Sequence, residues 1–212
     1  MERIMGSYIR PSSFHTFDPI KLSPDSLVGP INASMEGKHE NLLDLLEDNS
    51  GLPELKEGEQ SPVDKATLLF ISMLDWQNDG GAPRALDRGH SRERLGRFPS
   101  NDGNAVEYLL EFTGEGEEGS SLHSLLKKLG RGIGEDILGH NGFGEGSMGI
   151  ELLGWLDSAD VNELRKEIAR GRWTVKSDEP LDGGVQDAFR HLLVFLRSAS
   201  RRKCGILMRR HS

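Results

Sequence analysis

The side chains whose types and spacing suggest chemistry lie in the glycine-rich stretch Gly130 to Gly149, where His140 stands between Glu135 and Glu145. A histidine beside a carboxylate can move a proton to or from a reacting group near neutral pH. Glycine lets a backbone approach a substrate closely, and loops on a rigid scaffold commonly carry such sites. One expectation is therefore a small hydrolase or transferase acting at loop 130–149, with His140 as base and Glu135 or Glu145 as its charged neighbour. His123 with Glu118 is a second pairing of the same kind. The opposite expectation comes from Glu111, Glu115, Glu117 and Glu118, which place several carboxylates within one short polar stretch. Such a cluster attracts cations, and it points to binding a basic protein partner rather than to catalysis.

Other chemistries find less support. The runs Gly130-Arg-Gly132-Ile-Gly134 and Gly142, Gly144, Gly146 match neither the Walker spacing nor a dinucleotide fingerprint between strand and helix. The seven histidines are scattered, with no pair at metal-ligand spacing, and the single cysteine, Cys204, rules out a cysteine-rich zinc site. Neither a metal nor a cofactor is expected. No Gly-x-Ser-x-Gly elbow occurs, and Cys204 sits in apolar text rather than at a helix start that would activate a thiolate. Arg84, Arg88, Arg92, Arg94 and Arg97 lack the aromatic interleaving of a nucleic-acid surface. A net charge of −8 also repels polyanions, so neither nucleic acid nor an anionic membrane is an expected partner.

The elements that must position these residues are read from pattern. Val185, Phe189, Leu192, Leu193, Leu196 and Ala199 recur at helical spacing, and Arg201, Arg202 and Lys203 follow at the negative end of the helix dipole. The apolar run Cys204 to Met208 then reads as a buried strand. Earlier helices are expected after Ser23-Pro24, ending before Gly29 and Pro30; at Glu40–Glu47, with Leu42, Leu43, Leu45 and Leu46 as one apolar side; and from Ser61-Pro62 to about Trp76, packed against the terminal helix. Further helices are expected at 104–112, at 122–129 ended by Gly130, and at 157–171. Residues 79–99 read as a long surface loop, and the Gly130–Gly149 stretch as one that loosens the fold. Ser7–Ile9 leans toward strand, with Pro11 and Pro19 limiting its length.

These elements give an α+β fold: a mostly helical single domain spanning 1–212, with a small sheet that includes the C-terminal strand. The apolar fraction is 35% and the mean hydropathy −0.49, and no segment approaches the length of a membrane span. One cysteine and no signal-type leader fit a soluble cytoplasmic protein of undetermined oligomeric state. The segments Gly6-Ser-Tyr-Ile9, Leu156-Asp-Ser-Ala-Asp-Val-Asn-Glu-Leu-Arg-Lys166, and Phe189-Arg-His-Leu-Leu to Cys204-Gly-Ile-Leu-Met208 together resemble the bacterial YfbM-like family of uncharacterised proteins. The resemblance implies an α+β fold with both termini in one sheet, and it transfers no activity or site residue. The leading functional expectation is a non-enzymatic binding or regulatory protein, of the kind that acts as an immunity partner.

Overall fold

The computed structural model describes residues 14–46, 51–89, 91, 95, 103–114 and 120–211. The fold is α+β, with helices on both faces of a three-stranded antiparallel sheet of order β1-β3-β2. The strands are β1 (Phe14–Ile20), β2 (Ile150–Leu156) and β3 (Gly205–His211), so the C-terminal strand is the central one. It pairs Phe17 with Met208 on one side and Trp155 with Leu207 on the other.

Side chains alternate across a strand, and this alternation divides the interior into two cores. Ile206, Met208, Phe17 and Leu156 face one; Leu207, Trp155, Leu152 and Ile20 face the other. On the first face lie α4 (Ala105–Phe112), α5 (Leu122–Arg131), α7 (Ser158–Arg170) and α8 (Gly184–Arg202). On the second lie α1 (Pro24–Met35), α2 (Glu40–Leu45) and α3 (Lys65–Met73). A short helix, α6 (Glu135–Leu138), stands between α5 and β2.

The terminal unit follows its pattern. Val185, Phe189, Leu192, Leu196 and Ala199 of α8 are buried, and the helix ends at Lys203, whose positive φ turns the chain into β3. In α7, Asp157 accepts from the Asp160 amide and Gly171 closes the helix in the left-handed conformation that favours glycine. In α4, Asn104 caps the amides of Val106 and Glu107.

Several expectations are corrected. α1 runs through Gly29 and Pro30. An interior proline costs about 3 kcal/mol, but burying Leu27, Val28 and Ile31 contributes about 1.5–3 kcal/mol for each side chain and outweighs it. α3 is capped by Asp64 instead of Ser61 and stops at Met73, because Leu74 leaves the helix to bridge Ile20 at the open edge of β1. It packs on α1 across the sheet from α8, not against it. An apolar stripe says that a face is buried, not what covers it.

Pro19 lies inside β1, which an edge strand tolerates. β2 is a strand that the sequence pattern above does not include, and its bulge between Leu152 and Gly154 places Gly154 under the end of α5. A Cβ there would overlap the Lys128 and Leu129 carbonyls. The Ser7–Ile9 segment lies outside the described residues. Gly130 sits within α5, which continues to Arg131.

Two loops are more built-in than their composition suggests. Within 79–99, Leu86, Ser91 and Leu95 are buried, the two leucines in the first core. The glycine-rich stretch buries Phe143 in the second core and hydrogen-bonds to β2 through Leu152 N to Gly144 O at 2.7 Å and Gly146 N to Ile150 O at 2.9 Å. Among the described residues no helix is long and apolar enough to cross a membrane.

Candidate interaction surface

Glu135, His140 and Glu145 are all exposed, and among the described residues none of them hydrogen-bonds or pairs with another. The polar anchor of that loop is Ser147, whose backbone amide donates to Asp64 Oδ2 at 2.9 Å and whose hydroxyl donates to the same oxygen. Asp64 also accepts from the Thr67 amide and hydroxyl. Burial alone would raise its pKa, but these donors from Ser147 and Thr67 outweigh it and hold the carboxyl down at about 2. Among the described residues the Nε2 of His123 bonds to Thr113, and Glu118 lies outside them. Glu111 is exposed near the end of α4, while Glu115, Glu117 and Glu118 lie outside the described residues.

One arrangement has the residue types of an acyl-transfer triad. Ser91 Oγ lies 2.9 Å from His191 Nδ1, and His191 Nε2 lies 3.6 Å from Asp187 Oδ1, one turn earlier on α8. Ser91 is only 9% exposed and His191 6%, and Asp187 also pairs with Arg190. A nucleophile must meet its substrate, so this row is a buried polar link that fastens Ser91 to α8. Among the described residues no group of three or more potential metal ligands converges.

A different histidine organises the surface. His39, at 1% exposure, stands between α1 and α2. Its Nε2 faces two acceptors, Lys56 O at 3.1 Å and Glu59 O at 2.9 Å, so this nitrogen carries the proton and donates. Its Nδ1 then accepts from the buried Ser34 hydroxyl at 2.7 Å. Beside it the Gly58 amide donates to Gly37 O at 2.9 Å. These bonds hold the 56–59 turn against the α1–α2 junction, as buried polar groups require partners.

The consequence is a concentration of charge. Glu36, Glu40, Asp44, Glu54, Glu57 and Glu59 are exposed in this region, against Lys38 and Lys56. Lys38 is already paired with Glu36 at 2.9 Å. Leu43 and Leu45 add apolar surface at 42% and 45% exposure, which corrects the expectation that all four leucines of α2 face inward. Two residues apart on a helix, they fall on opposite flanks of the buried Leu42 and Leu46.

In the sequence His39 is one of several scattered histidines, and nothing near it marks it as a link to residues 56–59. The charge pattern around Glu36–Glu59 was visible, but the contact folding its two halves together was not. Comparison of the chain with protein-family models, curated proteins and solved structures gives no match.

Proposed function

We propose that the chain is a non-enzymatic protein-binding module that docks a basic partner on the acidic surface around α2. The observation that carries this reading is the His39 clamp, which holds the backbone of the 56–59 turn, with Glu57 and Glu59, against the α1–α2 junction that carries Glu36 and Glu40. Like charges held together repel one another, and a cationic partner relieves that repulsion while the protein field speeds its approach. Leu43 and Leu45 supply apolar contact beside the charge. An immunity-type or regulatory role fits a module that works by occupying a basic surface on another protein.

The test compares the native chain with a variant carrying Glu40→Lys, Asp44→Lys, Glu57→Lys and Glu59→Lys as bait in a lysate at low salt. All four side chains are exposed, so the fold should persist, which a thermal melt checks. The proposal expects a basic protein retained by the native bait, released as salt rises, and absent from the charge-reversed bait. Equal retention by both baits, or retention indifferent to salt, would overturn it.

A further inference from the structure

A second feature lies at the end of α8, away from the α2 surface. A depression of about 480 Å³, open to solvent, is lined by Asp75, Trp76, Gln77, Asn78, Asp79, Arg84 and Arg202. Three separate parts of the chain meet there: the segment leaving α3, the following loop, and the last turn of α8.

Its floor is an ion pair, with Arg202 donating to Asp75 Oδ2 at 3.0 Å and to Arg84 O at 2.5 Å. Gln77 stiffens one wall by donating to Ala82 O at 2.7 Å while its Oε1 accepts from Arg84 Nε at 2.6 Å. Asp79 Oδ1 accepts from the Gly81 amide at 2.9 Å. Trp76 is held by its indole N–H donating to Ile71 O at 2.9 Å.

Charge bookkeeping then defines the ligand. Asp75 and Arg202 neutralise one another, which leaves Arg84 and Asp79 as one cation and one anion on the lining. Among the described residues the terminal nitrogens of Arg84 and Asp79 Oδ2 make no hydrogen bond, so both remain available to a ligand. A dianion would meet Asp79 and a dication would meet Arg84. A ligand carrying one charge of each sign satisfies both, and Arg is suited to a carboxylate because its planar fork matches the two oxygens.

We propose that this depression binds a small zwitterion of the α-amino-acid class. Arg84 receives the carboxylate, Asp79 the ammonium group, and Trp76 provides the wall for the side chain. This site is independent of the α2 surface, and substitutions in one leave the other intact.

The experiment titrates the full chain, nitrogen-labelled on its three tryptophan indoles, with L-phenylalanine and L-glutamine, and then with N-acetyl-L-phenylalanine and L-phenylalaninamide. A Trp76→Phe variant identifies the reporting resonance. The free amino acids should move the Trp76 signal saturably and leave Trp155 and Trp173 in place. Each blocked compound should bind about tenfold more weakly or worse, as should the native ligand to Arg84→Gln and to Asp79→Asn. No movement up to about 20 mM ligand would overturn the proposal, since that corresponds to an affinity too weak for a built site. Equal shifts from the blocked compounds on the native chain would overturn it without relying on any variant.

Discussion

Replacing His39 with alanine should unhook the 56–59 turn from the α1–α2 junction, and the size of the effect can be worked from its three hydrogen bonds. The Ser34 hydroxyl, fully buried, loses its partner, which costs about 1–3 kcal/mol. The Lys56 and Glu59 carbonyls belong to exposed residues and regain water, so they add little. Truncating the buried ring leaves a void worth about another 1–2 kcal/mol. The sum is about 3 kcal/mol, a fall in melting temperature of about 6–12 °C for a chain of this size. Thermal unfolding followed by circular dichroism measures the loss, and amide exchange at Gly58 reports the turn itself, because that amide donates to Gly37 O. His39→Gln, which keeps a donor, should recover part of the difference. A melting temperature within about 2 °C of the native value, or a lower one with Gly58 still protected, would refute the clamp.

Gly154→Ala should destabilise by about 2–3 kcal/mol, since its Cβ would meet the backbone carbonyls of Lys128 and Leu129, which cannot rotate away as a flexible side chain does; chemical denaturation measures it. Asp64 has a folded pKa of about 2, below its ordinary value near 4, so its contribution is fully present above about pH 4 and disappears as pH falls through about 2. Asp64→Ala should therefore lower stability at pH 7 by about 1 kcal/mol through loss of the α3 cap, and flatten the acid limb of the stability profile between pH 4 and pH 2. Parallel acid limbs for the two proteins would show that the Ser147 and Thr67 bonds do not hold the carboxyl ionised.

Elements defined by their own local pattern were legible, and those defined by a distant partner were not. The periodic stripe of α8 and the apolar run of β3 each state their structure within a few residues. β1 and β2 become strands because β3 lies between them, and the Arg209–Asp18 ion pair at 2.6 Å joins residues 191 apart in sequence. Pro19 and Gly154 are both unfavourable in strands by local preference, and only edge position and the bulge make them acceptable. The same limit applied to function. The spacing of Glu135, His140 and Glu145 could be read, but their exposure depends on which side chains the loop buries, and it buries Phe143. The clamp that builds the acidic surface spans 17 and 20 residues from His39, and the depression joins Arg84 to Arg202 across 118.

The most direct test of the acidic-surface account is a hydrogen-exchange footprint of the chain with and without the basic protein it retains. The account predicts slowed exchange in residues 36–45 and 54–59, with little change elsewhere and loss of the footprint in the charge-reversed variant. Protection centred instead on 111–118 or 135–149, with 36–59 unchanged, would contradict it.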